Sequence, residues 1–278
     1  MPLLVVPTPI GNMEDITLRA LRTLREADVI ACEDTRRTVK ILSRYGIRTP
    51  LLSYHAFNEK ERAQDIAERL SRGETVALVS DAGTPGISDP GYELIRQSLE
   101  AGYEVDVLPG ATAVVPALLL SGFPPHPFLF EGFLPKRKGE RRRRLEELRI
   151  FGGAVVFYLS PHGPGKVLED ILDVLGNRPA VILREISKLH QERIPGDIAS
   201  LLASLDEVTL RGELVLVTGP AAMTRDTPRE DFEEVLLGVL EEGLPEKEVV
   251  RRLVEEYGIS KNKAKRLLLG KKREKEAL

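Results

Sequence analysis

SDAGTPGISDPG, residues 80–91, places three Gly and two Pro between an apolar run, Thr75–Val79, and a helical stretch, Gly91–Ala101. Glycine lets backbone approach a ligand closely, and proline stiffens the loop into a preformed wall. In an open α/β sheet the ligand sits beyond the carboxyl ends of strands, where this loop falls. An ornate turn with no ligand is the plain alternative. The sequence has no G-x-x-x-x-G-K-[ST] and no G-x-G-x-x-G opening a helix, and SPHGPGKVLED at 160–170 lacks the P-loop spacing. The loop therefore points to a nucleoside without a polyphosphate.

Outward from the loop, short Val/Ile/Leu-rich runs alternate with amphipathic stretches, which predicts a mainly parallel sheet covered by helices. Leu3–Val6, Asp28–Ala31, Leu51–Tyr54, Thr75–Val79 and Glu104–Leu108 read as strands. Thr17–Arg25, Thr35–Tyr45, Glu59–Arg72, Gly91–Ala101 and Thr112–Ser121 read as helices. The prolines of GFPPHP at 122–127 interrupt both helix and ladder and mark a boundary. Beyond it, strands over Phe128–Phe133, Ala154–Leu159, Ala180–Glu185 and Glu213–Thr218, with helices near Gly139–Phe151, Gly165–Leu175 and Asp197–Leu205, predict a second, more mixed α/β domain. After Pro228 only helices are predicted, over Glu230–Glu242, Glu246–Tyr257 and Lys261–Leu269, the last capped by Ser260. The final pair is spaced like a helix-turn-helix; a generic helical tail is the alternative. The expected domains are 1–122, 123–225 and a basic helical region, 226–278.

The 278 residues suffice for two ordinary cores. One Cys, Cys32, excludes a disulfide within the chain, and four scattered His give no zinc motif, so no metal is expected. The start, MPLLVVPTPIGN, lacks a signal-peptide pattern, and no window reaches membrane-spanning length, so a cytoplasmic protein without a membrane partner is expected. Net charge is −3, yet residues 136–144 carry +6 and residues 259–273 carry +7, which leaves −16 on the rest. Such segregation suits a polyanion partner, although solvated basic faces would look the same.

Nine ordered segments carry a resemblance. VPTPIGN (6–12), DITLRAL (15–21), CEDTRRT (32–38), SYHAFNEKER (53–62), SDAGTPGISDPGYEL (80–94), LPGATA (108–113), FEGFLPKRKGER (130–141), YLSPH (158–162) and REISKLH (184–190) together resemble the ribosomal RNA small subunit methyltransferase I family of the tetrapyrrole methylase superfamily. The resemblance implies two α/β domains with S-adenosylmethionine in the cleft between them, a homodimer, and 2′-O-methylation of a cytidine in 16S ribosomal RNA or the small ribosomal subunit. It further implies a donor site at Pro9, Ile10, Asp81, Gly83, Thr84, Gly86, Ile87, Ser88, Thr112, Ala113 and Leu159. Leu159 stands where the family pattern has Glu.

Ribose 2′-hydroxyls are poor nucleophiles, so a base or an alkoxide-stabilising cation is expected. Glu33 and Asp34 follow a predicted strand beside Arg36 and Arg37, which could hold RNA phosphates; an N-cap with a first-turn acid is the alternative. Glu185 and Lys188 form a second candidate catalytic pair, or an ordinary ion pair. Tyr54, His55 and Asn58 have the types that stack on and hydrogen-bond to an unpaired base, and Lys136, Arg137 and Lys138 are candidate RNA contacts. His162 and His190 read as satisfied polar groups. Two other classes stay open. A small-molecule tetrapyrrole methylase would have little use for the basic stretches, and a non-enzymatic nucleic-acid-binding protein would leave the glycine loop without a purpose.

Overall fold

The computed structural model describes residues 2–205, 212–220, 244–255, 264 and 268. Val29–Cys32 (β2) and Val76–Val79 (β4) are buried at every position, as parallel strands covered on both faces must be. With Leu3–Val5 (β1), Leu51–Ser53 (β3) and Val105–Val107 (β5) they form an all-parallel sheet of order β3-β2-β4-β1-β5. Leu18–Glu26 (α1) starts where Thr17 Oγ1 accepts the Ala20 N–H at 3.0 Å, a regular N-cap. It shares one face of the sheet with Thr35–Arg44 (α2). Glu59–Ser71 (α3) and Tyr92–Glu100 (α4) cover the other face through Ala63, Ile66, Leu70 and Leu94.

The helix that follows β5 changes allegiance. Val114–Ser121 (α5) packs Val114, Ala117 and Leu118 on Val156, Val181, Leu183 and Val217 of a second sheet. That sheet comprises Phe128–Phe133 (β6), Ala154–Leu159 (β7), Pro179–Arg184 (β8), Glu192–Asp197 (β9) and Leu214–Thr218 (β10), in the order β6-β7-β10-β8-β9. Only β6 and β7 pair in parallel. Lys138–Leu148 (α6), Pro164–Leu175 (α7) and Ile198–Ala203 (α8) close its other face.

Both sheets lie in one compact unit, Met1–Ala222, and a second unit spans Met223–Leu278. The 122–127 segment links α5 to β6. In the second unit a helix covers Glu246–Glu255, and Ala264 and Leu268 are helical and buried. The helix expected over 230–242 and most of that expected over 261–269, with the Ser260 cap, lie outside the described residues. No described helix is long and apolar enough to cross a membrane.

Two features differ from the sequence reading. Strand β9, ERIPGD, was not foreseen: it is an edge strand, mostly exposed, and carries Pro195 and Gly196, so it shows neither alternation nor an apolar run. The +6 stretch at 136–144 is also not a free cationic face. Arg141, 6% exposed, donates from Nε and Nη2 to Asp170 Oδ2 at 2.8 and 2.5 Å, and from Nη1 to the Pro135 and Lys136 carbonyls. Arg142 bonds Asp170 and Asp173, and Arg144 holds Glu131 and Glu147. These arginines fasten α6 to α7 and β6, and only part of the run faces solvent.

Removing one partner of a buried pair strands the other charge. Asp170→Ala is expected to cost roughly 3–5 kcal/mol in urea unfolding, whereas Asp173→Ala, at the exposed end of the same network, should cost about 1 kcal/mol or less.

Candidate active site

The carboxyl ends of β1, β2 and β4 open into three loops that meet. Thr8 and Gly83 exchange backbone hydrogen bonds of 2.9 Å each way, and Thr8 Oγ1 donates to the Ser80 carbonyl at 3.0 Å. Gly83 has φ +76°, a left-handed conformation that glycine adopts without strain and side-chain-bearing residues rarely take, and it brings the loop into contact range of Ile10. Beside it lies a pocket of about 470 Å³, a size suited to a small organic ligand. Ile10, Ala82, Gly83, Thr84, Ile87, Ser88, Thr112 and Ala113 line one side of it. Phe133, Tyr158, Leu159, Ser160, Pro161, Gly212, Leu214 and Val215 come from the second sheet, where antiparallel pairing sets Leu159 opposite Leu214.

Four carboxylates, Glu33, Asp81, Asp89 and Glu213, share this pocket with one cation, Arg37. Burial, then the charges of Asp81 and Asp89, push the Glu33 carboxyl above its ordinary range. Burial, then Asp81, does the same to Asp89. Asp81 itself is engaged, accepting the Asp34 N–H at 3.0 Å and facing Arg37 Nη1 at 3.4 Å. A field of this sign attracts a cationic ligand and repels a polyphosphate. Among the described residues, no group of three His, Cys, Asp or Glu side chains could hold a metal ion.

The family described as Tetrapyrrole (Corrin/Porphyrin) Methylases matches residues 2–202. Relatives named Ribosomal RNA small subunit methyltransferase I are 47% identical in Thermotoga maritima (77% of this chain, 96% of the relative) and 38% identical in Bacillus subtilis (93% and 91%). The chain belongs to this methyltransferase family. In Synechocystis the like-named relative is 39% identical over 96% of this chain and 97% of its own. A cobalt precorrin-4 methyltransferase shares the fold with a TM-score of 0.58 at 16% identity, covering 78% of this chain and 94% of that one. A Thermus thermophilus uroporphyrin-III C-methyltransferase, solved with S-adenosyl homocysteine, gives 0.57 at 20% identity, covering 78% and 96%.

Of the donor-site candidates in this methylase, Ile10, Asp81, Gly83, Thr84, Ile87, Ser88, Thr112, Ala113 and Leu159 line the pocket, and Pro9 and Gly86 do not. Gly86 serves the loop itself, since a Cβ there would press on the Tyr92 backbone N at 3.2 Å. Glu33 and Arg37 stand in the lining. Asp34 does not: it is the N-cap of α2, accepting the Arg36 N–H at 2.9 Å and pairing with the Arg36 guanidinium. Those bonds hold its carboxyl down at about 2. Arg36 is exposed beside it.

Glu185 and Lys188 are not pocket residues either. They form a 2.9 Å ion pair; Lys188 Nζ also reaches Glu213 Oε2 at 3.2 Å, and Glu185 Oε1 accepts the Glu213 N–H at 2.7 Å. Burial pulls Lys188 down, but the bond to Glu185 and the charge of Glu213 outweigh it and hold the ammonium above its usual range. The pair therefore positions Glu213, a lining residue that sequence reading missed.

Tyr54 must be withdrawn as a base-stacking residue. It is 1% exposed in the core, and its hydroxyl donates to Glu59 at 2.6 Å. Asn58 is spent on the turn, accepting the His55 N–H at 2.8 Å and donating to the Ser53 carbonyl. His55 is half-buried and meets Phe57 edge-on. Lys136, Arg137 and Lys138 are exposed and outside the pocket.

Because folding raises the Glu33 pKa, its contribution to stability is full below the ordinary carboxylate range and is lost as pH rises through the raised value. Glu33→Gln, which keeps a neutral side chain at every pH, is expected to melt above the parent at pH 7–8, with the gain closing as pH falls to about 4. Melting curves across that range check it.

Proposed function

We propose that this methyltransferase transfers a methyl group from S-adenosylmethionine to the ribose 2′-hydroxyl of a cytidine in 16S ribosomal RNA. The observation that carries the reading is the acidic, Gly83-floored pocket. It favours a sulfonium nucleoside over a nucleotide and has two exposed cations at its edge, Arg37 in the lining and Arg36 next to it. Ribosomal RNA as substrate is supported by the names of the relatives, at 38–47% identity.

When bound, S-adenosylmethionine supplies an electrophilic methyl group. Ile10, Gly83, Thr84, Thr112, Ala113 and Leu159, which line the pocket, would hold it, and the carboxylates of Asp81 and Asp89 would balance its charge. Glu33 is the general base: it lines the pocket, and burial with the neighbouring charges of Asp81 and Asp89 raises its pKa toward the operating pH. It takes the 2′-hydroxyl proton and so makes the oxygen the nucleophile. Asp34, held near 2 by Arg36, is too weak a base for that task. Arg36 and Arg37 take the backbone phosphates next to the target.

The protein is read as a cytoplasmic homodimer. Val107 on edge strand β5 and Val115 and Leu119 on α5 are half or more exposed, apolar surface of the kind a second copy covers. Sedimentation at the mass of one chain would remove that part of the reading.

The chemical assay is donor-dependent labelling of small-subunit ribosomal RNA, followed by mapping the methyl group to ribose or base. The parent should label ribose. Glu33→Gln should lose about 10²–10⁴-fold in rate with donor affinity within a few-fold, and the parent's rate should rise with pH through the elevated Glu33 pKa. Labelling confined to a base, or a Glu33→Gln enzyme as fast as the parent, would contradict the assignment.

A further inference from the structure

Phe133 closes β6 at the pocket with 59% of its surface exposed. Single exposed apolar residues are ordinary, but this one is aimed. The β6–β7 register pairs Phe130 with Val156 and then shifts, so that Gly132 faces Phe157 and Phe133 faces Tyr158. Glu131 is the extra residue of a bulge, and Gly132 has φ +72°. Plain alternation would send Phe130 and Phe133 to opposite faces. With the bulge both meet the same ring, Tyr158, edge-on, at 5.0 Å and 67° and at 5.4 Å and 63°. Bulges beside active sites commonly re-aim a side chain in this way.

Other contacts fix the bulge in place. Glu131, 9% exposed, takes two hydrogen bonds of 2.7 Å from Arg144 on α6, and the backbone of Gly132 is buried near Ser88 of the glycine loop. The ring is therefore held against the pocket while much of it stays open to solvent. Three residues on, Lys136 to Lys138 are all exposed, with Arg137 partly drawn to Glu140 at 3.2 Å. An aromatic ring followed a few residues on by exposed cations is the arrangement that stacks a base and catches its backbone. A sulfonium donor has no use for those cations.

We propose that Phe133 is the stacking platform for the unpaired base of the target nucleotide, steadied by Tyr158, with Lys136 and Lys138 on the flanking phosphates. The inference rests on the RNA-methylation reading and gives it a substrate subsite on the second-sheet side of the pocket.

The test measures binding of the full chain to a labelled oligocytidine RNA and to the same oligomer with one central abasic ribose. The parent should prefer the base-bearing oligomer. Phe133→Ala should lose roughly 5- to 100-fold on it and fall to the abasic level, and Phe133→Tyr should retain the preference. Lys136→Ala should weaken both oligomers equally and flatten the salt dependence. Calorimetric titration of Phe133→Ala with S-adenosylmethionine should match the parent, which also reports that the variant is folded. A parallel loss of donor affinity would assign the ring to the donor instead, and an unchanged or equal loss on the two oligomers would overturn the platform. Failure of the parent to label ribosomal RNA would strike the parent reading of the activity, not the base preference that Phe133 controls.

Discussion

Thr8 and Gly83 exchange two backbone hydrogen bonds, and Thr8, 1% exposed, adds a third to Ser80. This small bridge ties the loop after β1 to the loop after β4, and the rest of the site is hung from it. It fixes Ile10 against Gly83 on one wall. It also leaves the β2 end, with Glu33, facing the same space. A parallel sheet delivers its strand ends to one edge; the bridge turns that edge into a rigid seat. Since the bonds are main-chain bonds between buried groups, their loss would leave unsatisfied donors and acceptors.

Charge is sorted by depth. Carboxylates dominate the pocket lining, where Arg37 is paired with Asp81, and the cations Arg36, Lys136 and Lys138 stand outside it. Such sorting lets one cleft hold a positively charged donor while its surroundings attract a polyanion. The raised pKa values of Glu33 and Asp89 follow from packing like charges in a partly desolvated space, so the field that suits the donor also prepares the base.

The first sheet was readable because its central strands are continuous apolar runs and its helices have one buried face, as in Val76–Val79 and Leu18–Glu26. The glycine loop was readable from composition. Residues 212–215 were not, because they reach the pocket through the β7–β10 ladder, a pairing distant in sequence that leaves no local mark. Tyr54 misled for a similar reason: an aromatic in a polar loop looks available until its hydroxyl is found on Glu59. The arginines of α6 read as a patch because the acidic partners of Arg141 and Arg142 sit on α7, and one of Arg144's on β6, at no helical spacing from them.

One feature of the second-sheet loop reaches further than its own pair of charges. Lys188 lays its aliphatic stem where Gly11 lacks a side chain, so close that a Cβ on Gly11 would fall 2.3 Å from Lys188 Cγ. The neighbouring Ser187 hydroxyl donates to Asp15, in the same N-terminal segment. A single methyl group at position 11 would thus evict a lysine more than 170 residues away in the chain. It would release Glu185 and Glu213 together, and so turn a backbone change at the first strand into an electrostatic change on the far wall.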